Sequence, residues 1–155
     1  MATALQEQSY SFDDRQIQWS PFPGIENASF SLCDYDEERG IVDLIFKFEP
    51  DKKIAIHTHI WQTNMFIIEG ELRMYNTDGS VKEVRAAGKY FSGCENDTHS
   101  EGGGPNGAIV FYTVRSNGGE EIFDLLDDEG TIITTITKAD IKAMWLEKKG
   151  LNNDF

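Results

Sequence analysis

The chain has 155 residues, with 27 Asp and Glu against 14 Lys and Arg, a net charge of −13 and a pI near 4.5. That length suits one domain burying about 68–70% of its unfolded surface, and the acidity counts against nucleic acid or an anionic membrane as partner, since counterion release needs clustered basic residues. The two cysteines, Cys33 and Cys94, stand far apart with no C-x-x-C pattern, which argues against a disulfide framework or a sulfur-rich zinc site and for a reduced, cytoplasmic setting.

The N-terminus, MATALQEQSYSFDD, lacks a basic and an apolar leader region, and no long apolar run follows, so secretion and membrane spanning are disfavoured. Residues 1–18 are polar and without periodicity, and are expected to form an arm ahead of a single domain over 19–155. Trp19-Ser20-Pro21-Phe22-Pro23-Gly24 leads in irregularly, its prolines opposing helix and central strand alike. Strands are then expected at Ala28–Cys33 and, after a charged turn over Asp34–Gly40, at Ile41–Glu49, with Val42, Leu44, Phe46 and Phe48 on the core face.

In the Ile54–Gly70 stretch an extended backbone puts His57 and His59 on one face and Ile54, Ile56 and Ile60 on the other. Strand Asn64–Ile68, a turn at Glu69-Gly70 and strand Glu71–Tyr75 follow, and Asn76-Thr77-Asp78-Gly79 is a hairpin signal leading to Val81–Arg85. Gly88 and Gly93 flank Tyr90-Phe91, His99 follows a bend at Cys94–Asp97, and Gly102-Gly103-Gly104-Pro105 with Asn106-Gly107 reads as a flexible loop before Ala108–Val114. Further strands are expected at Ile122–Leu125 and Thr131–Ile136, joined by the turn Asp127–Gly130. One helix closes the chain, capped by Thr137 with Asp140, striped by Ile141, Met144 and Trp145, and stopped at Gly150. The pattern indicates an all-β fold, a double-sheet sandwich or β-barrel with one C-terminal helix.

All three histidines fall within this strand framework: a same-face pair, His57 and His59, and His99 on a later strand-loop block. Three imidazoles are a normal ligand set for Zn, Fe, Ni or Cu. Glu95 and Asp97 precede His99 and are candidates to orient an imidazole or to act as catalytic base, Asp97 sharing its face if the segment is extended. Trp61 continues the face of His57 and His59 and is a candidate pocket wall. Of Phe111 and Tyr112, on the strand after His99, one must face inward. Cys94 beside this block is expected to be buried and inert.

These residues resemble the cupins, small β-barrel metalloproteins with a first motif G-x5-H-x-H-x3/4-E-x6-G and a second G-x5-P-x-G-x2-H-x3-N. His57, His59 and Gly70 match the first, Gly88 and His99 the second. The motif glutamate falls on Thr63, beside Asn64; its opening glycine falls on Asp51, and the second motif's proline, second glycine and asparagine on Cys94, Asn96 and Gly103. Within that superfamily the missing glutamate, the chain length, the Trp19–Phe22 lead and the tail Phe123–Lys149, with Ala143-x-Trp145-Leu146 in its helix, resemble the acetylacetone (β-diketone) dioxygenase and dihydroxyacetophenone dioxygenase group.

The resemblance implies a cupin jelly roll and a non-haem Fe(II) held by His57, His59 and His99, with cleavage of a carbon–carbon bond of a small enolisable ketone by O2. It also implies a pocket to which Trp61, Thr63, Phe111 and Tyr112 are candidate contributors. Without a carboxylate ligand the ion keeps its full 2+ charge and favours an anionic chelating substrate such as an enolate. Zn, Ni or Mn in the same place are alternatives. So are a cupin enzyme of another reaction type, such as a thiol dioxygenase, lyase or isomerase, and a non-catalytic zinc or small-ligand sensor like the cupin modules attached to anti-sigma factors. Sheet edges in such a barrel suit a homodimer, with the N-terminal arm as one candidate contact.

Overall fold

The computed structural model describes residues 12–152; most of the expected N-terminal arm lies outside the described residues. Ten strands and one helix follow in order: β1 (Ser20–Pro21), β2 (Ala28–Asp36), β3 (Ile41–Phe48), β4 (His57–His59), β5 (Gln62–Tyr75), β6 (Val81–Ala86), β7 (Tyr90–Phe91), β8 (Asp97–Arg115), β9 (Glu121–Leu126), β10 (Ile132–Thr137) and α1 (Lys138–Asn152). All strand pairs between these elements are antiparallel. They form one curled sheet in the order β1-β2-β3-β8-β4-β9-β10, with β5 alongside β8 and carrying β6 and β7. The expected all-β barrel with a C-terminal helix is what the chain forms.

Alternation builds the core as expected: Val42, Leu44, Phe46 and Phe48 of β3 are all buried, and Phe30 and Leu32 of β2 pair with Phe46 and Leu44. A bulge between Leu32 and Asp34 shifts the phase of β2, so that Tyr35 turns inward and the strand runs on to Asp36, through part of the expected charged turn. Phe22 of the irregular lead plugs the base of the sheet, its ring 4.8 Å from Phe30 and 5.6 Å from Phe123. Asp14 ties the preceding segment to β3, accepting a hydrogen bond from Lys47 Nζ at 2.7 Å.

Two expected interruptions are absent. The turn at Glu69-Gly70 is a bulged point in one fourteen-residue strand, β5. Gly70 has φ 77° and a side chain there would meet the Gly107 carbonyl, so the glycine serves a kink and a close crossing. The glycine run from Gly102 is strand as well: β8 is nineteen residues long and passes through it without a break. A Cβ on Gly102 would stand 2.0 Å from the Lys52 carbonyl oxygen and one on Gly103 2.7 Å from that of Glu49. These glycines therefore admit the segment 49–53 onto β8, where Pro50 and Lys53 bridge to Gly103 and Gly102.

The Asn76–Gly79 hairpin and the Asp127–Gly130 turn form as expected. Asp127 Oδ1 accepts from the amides of Glu129 and Thr131. Thr137 and Asp140 cap α1 reciprocally, Asp140 Oδ2 accepting from Thr137 N at 2.9 Å and Thr137 Oγ1 from Asp140 N at 3.3 Å. Ile141 is buried, with Met144 and Trp145 packed against the core. Gly150 does not stop the helix, which continues to Asn152. Lys148 pins α1 to β2 through Ser31 Oγ and the Leu32 carbonyl. Among the described residues no helix is long and apolar enough to cross a membrane.

Candidate metal centre

The register of β4 against β8 makes His57 the direct partner of His99, and His59 that of Asp97. β9 flanks β4 on its other side, with Leu125 opposite His57 and Phe123 opposite His59. The three imidazoles, which the sequence could not show to meet, thereby face one another with ring centroids 4.7–4.9 Å apart. A fourth donor joins them. Glu101, two residues beyond His99 and so on the same face of β8, is buried within the cluster, and one donor atom from each of His57, His59, His99 and Glu101 lies within 4.8 Å of the others.

Glu101 corrects the expectation of an all-imidazole centre. A carboxylate is present, but it comes from β8 rather than from the position of Thr63 on β5. With it, an ion bound here would keep only part of its 2+ charge, which weakens the attraction for an anionic chelate. The sequence does signal it: His99-x-Glu101 repeats the spacing of His57-x-His59, and the glycines after it obscure that the strand continues.

Two of the three outer ring nitrogens are anchored. His57 Nδ1 donates to the Ala55 carbonyl at 2.8 Å and His99 Nδ1 to Asp97 Oδ2 at 3.1 Å, leaving Nε2 of each ring turned into the cluster. His57 Nε2 and His59 Nε2 are 3.1 Å apart, close to the ~3 Å that two bonds of 2.0–2.1 Å to one ion span at right angles. His99 Nε2 and Glu101 Oε2 are both buried without a hydrogen-bond partner, 3.6 Å from each other. Orphaned buried polar atoms are costly, and here they belong to two donors aimed at one point. The residues present therefore fit a divalent cation.

Burial pushes His57 and His59 below the ordinary histidine range, His59 well below it, with neighbouring imidazoles adding to the effect. Burial opposes charge on His99 too, but the carboxylates of Glu101 and Asp97 outweigh it and raise its pKa. Burial alone would raise Glu101; contact with His99 and the nearby imidazoles instead bring it down to about 2. Tyr112 Oη donates to Glu101 Oε1 at 2.9 Å, and burial followed by the Glu101 charge holds its phenol well above the usual range, hence neutral.

The remaining candidates divide sharply. Thr63 and Tyr112 line a cavity of about 50 Å³ against His57, His59 and Glu101, whose other walls include Leu44, Phe46, Val114 and Phe123. Ile54 joins that wall instead of facing away from the histidines, because the chain before His57 is not regular strand and the period of two does not extend back to it. Phe111 lies on the opposite face of β8 from Tyr112 and is half-buried. Trp61 is fully buried in the hydrophobic core and is not among the residues lining the cavity. Glu95 is exposed and outside the cluster, whereas Asp97 touches His99. Cys94 is exposed rather than buried, on the bend before β8, and both cysteines are free.

Similarity to solved structures extends over nearly the whole chain. An acetylacetone dioxygenase from Acinetobacter johnsonii aligns with TM-score 0.68 at 18% identity, covering 95% of this chain and 96% of that one. A candidate acetylacetone dioxygenase from Methylibium petroleiphilum aligns with TM-score 0.67 at 19% identity, covering 94% and 99%. An RmlC-like cupin from Ralstonia eutropha aligns with TM-score 0.69 at 19% identity, covering 91% and 87%. At these identities the likeness is one of fold. No curated protein matches the chain significantly. Residues 7–117 match the family model described as the ChrR cupin-like domain, and the chain belongs to that cupin family.

Proposed function

We propose that the protein is a mononuclear metal-dependent oxygenase that cleaves a carbon–carbon bond of a small enolisable ketone with O2. The observation that supports this reading best is the juxtaposition of four metal donors with a small apolar cavity, in which Thr63 and the Tyr112 hydroxyl are the uncharged polar groups. His57, His59, His99 and Glu101 would hold the ion. Iron(II) bound there would supply Lewis acidity and the redox chemistry with O2 that side chains lack, which Zn, Ni or Mn in the same donors would supply only in part.

The chain's own residues do the positioning. Ala55 and Asp97 fix the ring orientations of His57 and His99. Tyr112 occupies Glu101 Oε1, which leaves Oε2 as the free oxygen. Leu44, Phe46, Val114 and Phe123 form an apolar wall for an alkyl end. For a β-dicarbonyl, cleavage with one O2 gives a carboxylic acid and a 2-oxoaldehyde, so both oxygen atoms enter the products and no external reductant is needed. The free cysteines fit a reduced, cytoplasmic setting, and we expect a homodimer in solution.

The test is O2 uptake by anaerobically purified, iron-loaded protein across a panel of diketones and hydroxyketones; no uptake with any member would overturn the reading. A second reading has its own support, because four protein donors also match the closed shell of a structural zinc site. Stoichiometric zinc in protein from its own host, with no O2-dependent activity after exchange for iron, would favour that zinc-binding sensor instead.

A further inference from the structure

His59 and Thr63, which line the apolar cavity, also line a second and larger one. It has a volume of about 270 Å³, and His99, Asp97, Arg85 and Lys82 contribute to its walls. The two chambers thus share residues at the metal donors but differ in chemistry. Apart from the donors and the hydroxyls of Thr63 and Tyr112, the first is walled by apolar side chains; the second presents Lys82 and Arg85, the latter paired with Glu83, in a chain whose acids outnumber its bases 27 to 14. Asp97 is the one carboxylate on that wall, and it is engaged by His99 Nδ1.

Arg85 is held firmly. Its guanidinium lies over the Phe91 ring, 4.2 Å from the centroid, and Nε and Nη2 donate to Glu83 Oε2 at 3.2 and 3.1 Å. Its other arm is poorly served: Nη1 donates to the Met65 sulfur at 3.1 Å. A thioether is among the weakest acceptors a protein offers, whereas a guanidinium fork is matched to a carboxylate. The Arg85 side chain is 17% exposed, so it is preorganised and partly desolvated beside the donors. Lys82 is exposed and adds a second positive charge along the same wall.

We propose that the substrate of this centre is a small β-dicarbonyl acid, its carboxylate held by Arg85 with Lys82 in support and its alkyl end in the apolar cavity. This rests on the oxygenase reading above and narrows its substrate class. The role of a cation here follows from Glu101: with one negative donor already in the cluster, a substrate anion needs a counter-charge that the ion alone supplies less well.

The experiment compares two probes that differ by one group, pentane-2,4-dione and 2,4-dioxopentanoate, in which a carboxylate replaces a terminal methyl. Binding is measured by calorimetry on zinc-loaded protein, where no turnover occurs. A carboxylate adds metal affinity on its own, so the decisive quantity is the acid-to-dione affinity ratio in variants. Arg85→Gln is expected to lower that ratio about tenfold, as loss of a charge-assisted hydrogen bond implies; Lys82→Gln is expected to lower it less, about twofold to threefold. Arg85→Lys, which keeps the charge but loses the fork, should fall between wild type and Arg85→Gln and covers the case in which Arg85→Gln does not fold. A ratio unchanged in Arg85→Lys and Lys82→Gln, or in Arg85→Gln, overturns the carboxylate assignment while leaving the oxygenase reading in place. If neither probe binds the zinc-loaded protein, the β-dicarbonyl acid assignment fails, and the oxygenase reading is decided separately by the O2-uptake panel.

Discussion

β4 and β8 each bring two donors to the centre, but they are built in opposite ways. β4 is three residues of strand wedged between β8 and β9. β8 is the spine of the molecule, pairing with β3, β4 and β5 along its length. The difference lies in what holds each pair in place. His99 and Glu101 are positioned by the ladder of their own long strand. His57 and His59 depend on the segment before them, which is pinned to β8 by the Ile54 amide donating to the Glu101 carbonyl at 2.9 Å and by Ser100 Oγ donating to the Ile54 carbonyl at 2.9 Å. One half of the centre is self-supporting; the other is carried by it.

The contrast can be broken most severely at the donors. His99→Ala should lower metal affinity by a thousandfold or more, about 4 kcal/mol, while far-ultraviolet circular dichroism stays native; retained stoichiometric binding by equilibrium dialysis would show that the third ligand lies elsewhere. Gly102→Ala attacks the support instead. Its Cβ would meet the Lys52 carbonyl, so a loss of ~3 kcal/mol in denaturant unfolding is expected, accompanied by weaker metal binding because the approach to β4 is displaced. A wild-type midpoint in this variant would mean that the 49–53 segment does not depend on close contact with β8.

Milder substitutions around the centre have smaller effects. Asp97→Asn keeps the shape of the group that orients His99 but removes its charge, and should cost ten- to a hundredfold in metal affinity with little effect on stability of the metal-free protein. Glu101→Gln should reduce the rise in melting temperature on adding metal, because the orphaned carboxylate oxygen is replaced by an uncharged amide, and should also lower the stability of the metal-free protein at neutral pH, because the imidazoles around Glu101 favour its charged form in the fold. Cys94→Ser, at an exposed position, should change stability by no more than ~0.5 kcal/mol and leave metal binding as it was.

The same contrast explains what could be seen in the residues before the fold was known. β4 announces itself, because two histidines at a spacing of two in an apolar stretch have few other readings. β3 and the hairpins were legible for a similar reason: alternation and turn residues act locally. β8 was not. Its glycines have the composition of a loop, and only the carbonyls of Glu49 and Lys52, far away in sequence, explain why side chains are excluded there. Glu101 was lost with that misreading, since a carboxylate leading into a loop looks solvated. The bulges in β2 and β5 escaped likewise, for they are set by pairing register and not by local propensity.

The central place of β8 also sets an order of events in time. The β2–β3 and β5–β6 hairpins join neighbouring segments and can form early, but β3, β4 and β5 cannot complete their ladders until residues 97–115 have been synthesised and docked. Such non-local closure is characteristic of chains that fold in milliseconds to seconds rather than microseconds. The apolar faces of β3 and β5 must wait through that interval, so the nascent chain is most vulnerable to aggregation just before its spine arrives, and the same docking step that buries them assembles the four donors.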